Sequence, residues 1–149
     1  MRFVAGLPTC GPELVDRFSL CGVVHCHGYL DSPNLSDVLS TSHAVIVPTT
    51  TRFEEGFNMV CAEAVLAGRP VITSAVCPAL AYIREAAVEV QPDSIDQYYE
   101  AILRLYDDPQ LYKQKQAACA TLQGQFYDAK NSWAEKLRML LNKHVLNRV

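Results

Sequence analysis

Short apolar runs alternate with longer segments of helical periodicity along most of the chain. The run Arg2 to Gly6 predicts a first strand, and after Pro8 to Pro12 a short helix follows from about Glu13 to Ser19. Val23 to His27 predicts a second strand, ended by Gly28. Ser32 to Asn34 predicts a helix start, with Leu35, Val38 and Leu39 on one face. Ala44 to Val47 predicts a third strand, closed by Pro48. Met59 to Ala67 predicts a helix, ended by Gly68 where positive φ is tolerated. Pro70 to Thr73 and Val88 to Val90 predict two more strands. Beyond Gln91 only helical spacing remains. Ile95, Tyr98, Tyr99, Ile102, Leu103 and Tyr106 mark one helix, Pro109 to Phe126 a second, and Trp133, Leu137, Leu140 and Leu141 a third that starts at Ser132.

Strands alternating with helices predict an α/β fold, a Rossmann-like, doubly wound parallel sheet with C-terminal helices. Such sheets bind ligands beyond the carboxyl ends of their strands, which directs attention to the segment after the third strand. Ten residues separate Pro48 from Met59, longer than a typical connection between strand and helix. They include Glu54, Glu55 and Gly56 just before a helix whose first amides, around Phe57 to Val60, can receive an anion. Gly56 lets the backbone approach a ligand closely. Two carboxylates beside an anion site suit a ligand that carries both phosphates and hydroxyls. The bland alternative is a pair of solvated acids favoured by the helix dipole. Glu63 argues against it, because it is embedded among Val60, Cys61, Ala62, Ala64, Val65 and Leu66.

Length and charge narrow the classes. A chain of 149 residues fits one domain, and half its residues are hydrophobic. A net charge of −3 offers no basic field for nucleic acid. No apolar run approaches the roughly 20 residues of a membrane span, and Met1-Arg2 opens no signal peptide, which points to a cytoplasmic setting. The six cysteines show no C-x-x-C spacing and sit mostly in apolar segments, so they read as small buried thiols in a reducing environment. The tyrosines of the C-terminal half fit helix packing. His25 reads as structural, whereas His27 borders a candidate ligand region.

The run Glu55-Gly56-Phe57, then Glu63-Ala64, then Ala67-Gly68-Arg69-Pro70-Val71-Ile72 resembles the signature of retaining GT-B glycosyltransferases, the family 4 or group 1 enzymes. Seven residues separate Glu55 from Glu63, matching the family's paired glutamates. The resemblance runs from about Phe3 to about Leu141 and covers the donor-binding, C-terminal half of the GT-B fold. It implies transfer of a sugar, of hexosyl type, from a nucleotide-diphosphate sugar to an acceptor hydroxyl with retention. By the same resemblance Glu55 is the catalytic residue, holding donor hydroxyls and stabilising charge at the anomeric carbon. Gly56, Phe57, Asn58 and Met59 line the helix start that receives the diphosphate, Glu63 accepts from the ribose, and Gly28, Tyr29 and Leu30 lie beside the base. No metal or other cofactor is implied; the nucleotide sugar is the substrate. Asp107-Asp108-Pro109 reads as a helix junction.

Two departures qualify the resemblance. The family usually has Gly where this chain has Asn58, a residue competent as a helix cap. The Arg and Lys that family members place against the diphosphate have no counterpart in the matching segments, and Arg52 and Arg69 do not occupy their positions. The expected organisation is a partial donor domain over residues 1–130 and a crossing helix over 131–149 that needs a separate N-terminal acceptor domain or subunit, or self-association. The expected activity of the isolated chain is poor. The alternatives are a non-catalytic nucleotide-sugar-binding or interaction module, and an epimerase of GT-B shape.

Overall fold

The computed structural model describes residues 3–5 and 12–145. Four strands, β1 (Phe3–Ala5), β2 (Ala44–Val47), β3 (Val71–Ser74) and β4 (Ala87–Val90), form one sheet in the order β1-β2-β3-β4. Every pair is parallel, with Val4 opposite Val45, Ile46 opposite Ile72 and Thr73 opposite Glu89. Parallel neighbours require crossovers, and helices supply them. The helices are α1 (Pro12–Arg17), α2 (Ser32–Thr41), α3 (Met59–Leu66), α4 (Leu80–Ile83), α5 (Ile95–Asp107), α6 (Pro109–Phe126) and α7 (Trp133–Val145).

Strand alternation divides the core into two layers. Val45, Val47, Val71 and Ala87 pack with Leu39, Cys61, Val65, Leu80, Ile83 and Cys119. Their neighbours Ala44, Ile72, Val88 and Val90 pack with Ala101 and Leu105, joined by Tyr98, Ile102 and Tyr112. All of β3 is buried, as expected of a strand covered on both faces. Burying side chains such as Leu39 and Leu105 stabilises the fold by about 1.5–3 kcal/mol each.

Local chemistry sets the helix ends. The Asp31 carboxylate accepts from the Asn34 amide at 3.1 Å and caps α2, so the cap lies one residue before the predicted Ser32-to-Asn34 start. Asp108 accepts from the amides of Gln110 and Leu111, both at 2.9 Å, and Pro109 opens α6: Asp107-Asp108-Pro109 is a helix junction. Gly68, at φ +71°, ends α3. Its amide bonds Val65 O, and the Arg69 amide bonds Ala64 O, which satisfies the last carbonyls of the helix. Arg69 Nη2 donates to Ser40 O at 2.5 Å, tying this turn to the end of α2 and making Arg69 structural.

The second predicted strand is absent. Val23 to His27 forms no ladder; it follows a turn at Gly22 (φ +82°), and Val23 is 78% exposed. The place beside β2 is taken by Phe3–Ala5. His25 and His27 are therefore exposed on a connecting segment, not on a strand face. The cysteines divide too. Cys61, Cys77 and Cys119 are buried, but Cys21 and Cys26 are exposed, against expectation, and Cys10 lies outside the described residues. Tyr82, Tyr99 and Tyr106 are likewise exposed, whereas Tyr98 and Tyr112 are partly buried. No helix among the described residues is long and apolar enough to cross a membrane.

Candidate functional site

The long loop leaves the sheet over a polar floor at the carboxyl ends of β2 and β3. Thr73 Oγ1 donates to Val47 O at 2.9 Å, and the Ser74 hydroxyl bonds Thr49 O at 3.1 Å. Thr49 Oγ1 and Ser74 Oγ stand 2.5 Å apart. From α5, the Tyr98 hydroxyl donates to Val47 O at 3.3 Å and accepts from the Thr49 amide at 3.2 Å. These bonds satisfy buried polar groups that would otherwise destabilise the interior. They also fix where the loop begins.

Farther out, Asp93 holds the loop from the turn before α5. Its Oδ2 accepts from Thr51 Oγ1 at 2.7 Å and from the Thr51 amide at 3.3 Å. Asp93 adopts the left-handed backbone conformation at φ +60°, which Asp tolerates better than most residues. The Thr51 hydroxyl, then its amide, hold the Asp93 carboxyl below the usual carboxylate range, with Arg52 adding a smaller pull.

The loop ends at the start of α3. Glu54 is exposed and Glu55 half-buried. Asn58 occupies the cap position, at φ −78° and ψ 101°, but its side chain caps nothing. Instead Asn58 Nδ2 donates to Glu55 Oε2 at 2.8 Å. The first turn of α3 is thus left without a side-chain cap; the Cys61 amide donates to Asn58 O at 3.1 Å, which leaves the amides of Met59 and Val60 for an anion. Phe57, 40% exposed, meets Tyr82 of α4 edge-on with ring centroids 5.5 Å apart. Gly56 and Met59 are exposed on the same stretch.

Beneath this start lies a buried thiol pair. Cys61 Sγ and Cys77 Sγ are 3.9 Å apart. The hydrogen bond to Cys77 and then burial push the Cys61 thiol well up, and the Glu55 charge adds in the same direction. Cys77, accepting from Cys61, is held below an ordinary thiol despite burial, with help from the Thr73 hydroxyl and the Ala79 amide. The carboxylate of Glu55 is therefore close enough to be felt by both sulfurs.

Glu63, one turn into α3, is half-buried and opens on a different space. A cavity of about 320 Å³ lies between α2 and α3, lined by Ser32, Leu35, Ser36, Leu39, Glu63, Leu66, Ala67 and Tyr127. Glu55 is not among its lining residues. The structure thus joins Glu55 to Asn58 and Phe57 to Tyr82, and gives Glu63 a cavity of its own. Gly28 has φ +65°, Tyr29 is 97% exposed and Leu30 is partly covered. Among the described residues, no hydrogen bond or ring contact joins these three to either carboxylate. Three residues that hold the loop, Asp93, Ser74 and Tyr98 through its hydroxyl, lie outside the loop's own sequence, and polar residues 25 to 51 positions away carry no local signal.

The model of the family described as "Glycosyl transferases group 1" matches residues 3–108, which contain the whole loop and both glutamates. The chain belongs to the group 1 glycosyltransferases. Among solved structures, it is similar to the sucrose-phosphate synthase of Thermosynechococcus elongatus, with a TM-score of 0.67 and 25% sequence identity. That match covers 99% of this chain and 39% of the synthase, so the chain spans well under half the length of its neighbour. No protein of curated function matches it by sequence. For a group 1 glycosyltransferase, the sheet and its flanking helices are the Rossmann-like C-terminal half of a GT-B fold. The polar floor, tethered loop and uncapped α3 lie at the carboxyl ends of the strands, the end at which open α/β sheets in general bind ligands.

Proposed function

We propose that the chain is the donor-binding domain of a retaining hexosyltransferase that takes a nucleotide-diphosphate sugar. One observation carries the reading: the start of α3 lacks a side-chain cap, with the half-buried carboxylate of Glu55 just before it and that of Glu63 one turn into the helix. An anion and a polyhydroxyl group are the two chemistries that such a pairing suits. The diphosphate would lie against the free amides, where negative charge developing on the leaving group is stabilised. Glu55 would accept from donor-sugar hydroxyls and oppose positive charge at the anomeric carbon. Glu63 would accept from the ribose, and the cavity it lines is within the size range of small-molecule sites. Gly56, Phe57 and Met59 would border the diphosphate, and Gly28, Tyr29 and Leu30 the base. No step in this arrangement calls for a metal or another cofactor.

The acceptor would come from a second domain or subunit. The apolar positions of α7 favour this reading, since Trp133 is 78%, Leu140 55% and Leu141 53% exposed. The cell compartment that fits these substrates is the cytoplasm. A non-catalytic nucleotide-sugar module would use the same residues for binding alone, and turnover separates the two. Incubated with UDP-, GDP- and ADP-hexoses and its acceptor partner, the chain should consume one donor. Glu55→Gln should lower that rate by at least about a hundredfold, the scale of a lost transition-state contact, while retaining nucleotide binding. Equal turnover by Glu55→Gln would remove Glu55 from the chemistry. Binding without turnover in every pairing would favour the module.

A further inference from the structure

Asn58 does something other than cap a helix. An Asn in the cap position ordinarily turns its side-chain oxygen onto the second or third amide of the helix. Here the cap backbone conformation is present and that bond is not. The carboxamide nitrogen reaches back three residues and grips one oxygen of Glu55 at 2.8 Å. Both side chains are half-buried, so the bond is partly shielded from water. Glu55 Oε2 is engaged, while among the described residues Oε1 accepts nothing. The Asn58 carboxamide oxygen is also unclaimed there, having neither a capping bond nor another donor. A glycine at this position could make none of these arrangements, and the carboxylate would swing freely.

We propose that Asn58 is a positioning and specificity residue: it locks Glu55 and adds its own oxygen, giving two joined acceptors for neighbouring hydroxyls of the donor hexose. This rests on the donor-site reading above. Glu55 Oε1 and Asn58 Oδ1 belong to side chains linked by one hydrogen bond, so they form a fixed acceptor pair at the loop's end. Two adjacent acceptors match a vicinal diol. A sugar that lacks one of the two hydroxyls leaves a half-buried acceptor unpaired, which is the kind of mismatch that produces strong discrimination. The bond also explains the uncapped helix: the side chain that would cover the first amides is committed to Glu55.

The test compares Asn58→Gly with the natural chain in titrations against a nucleoside diphosphate, its hexose conjugate, and the deoxy conjugates of that hexose. Glycine loses little as a helix cap, so the variant should fold. The expected result is an affinity for the hexose conjugate about tenfold lower, the scale of one lost hydrogen bond, with unchanged affinity for the bare diphosphate. Discrimination against one or two deoxy conjugates should fall with it. In a Glu55→Ala background, where Asn58 has no acceptor to hold, Asn58→Gly should add much less, because the two act as a unit. If Asn58→Gly weakens the bare diphosphate and the conjugate equally, Asn58 serves the helix start and the clamp is wrong, while the donor site stands. Additive effects of the two substitutions would also overturn it. If the natural chain binds no nucleoside diphosphate, or binds it equally well after Glu63→Ala, the donor-site reading itself fails and the clamp with it.

Discussion

The tether between Asp93 and Thr51 is the smallest unit on which the site's geometry depends. A single carboxylate oxygen receives both a hydroxyl and an amide from the loop, 42 positions away in sequence. Because the folded state lowers the Asp93 pKa, the carboxylate's contribution is present above the ordinary carboxylate range. It is lost as pH falls through the lowered value. Asp93→Ala should therefore speed hydrogen exchange of the Thr51 amide at neutral pH and loosen the loop, leaving the exchange of buried β3 amides unchanged. Unaltered exchange at Thr51 would mean that the loop is held by Thr49, Ser74 and Tyr98 alone. Residues of this kind are invisible to sequence reading, since Asp93 in a Pro-Asp turn looks like any exposed turn residue. The partial burial of Glu63 was legible, because apolar residues surround it in sequence. Asn58 was legible as the cap residue and occupies that position, but sequence does not reveal that its carboxamide donates to Glu55 instead of accepting from the helix amides.

At the scale of elements, α3 and α6 pack against each other, with Cys119 of α6 fully buried in the layer that holds Cys61 and Val65. Burial is the main cause that pushes the Cys119 thiol up from an ordinary value near 9.0 to about 11. The sign follows from which state ionises first. The unfolded thiol ionises from about pH 9, the folded one does not until about pH 11, so this contribution is intact below 9 and is lost between the two values. Urea unfolding across this window should show stability falling by about 2 kcal/mol more in the natural chain than in Cys119→Ala. Parallel slopes would mean that the thiol is not confined as described. The helices were largely legible: α6 has the predicted limits Pro109 to Phe126, because proline and a capping Asp punctuate its start. The strand at Val23 to His27 was misread, because alternation of apolar and polar residues also describes an exposed extended segment. Nothing local reveals that Phe3–Ala5 takes the place beside β2.

At the scale of the whole molecule, the described residues form a sheet whose strands β2, β3 and β4 are largely buried, with a worked end and a bare helix. The worked end carries the tethered loop, the thiol pair and the uncapped α3; the bare helix is α7, with its tryptophan and leucines exposed. The chain covers 39% of the synthase to which its fold is similar, and the proposed function assigns it the donor and leaves the acceptor to another domain or subunit. The most direct test of the account is a ligand-observed NMR titration of the folded chain with UDP, GDP and ADP, run beside Glu63→Ala. Donor binding at this site requires saturable binding of one nucleotide, weakened about tenfold in the variant by loss of one charge-assisted contact. Binding of none of the three, or binding unaffected by Glu63→Ala, would contradict it.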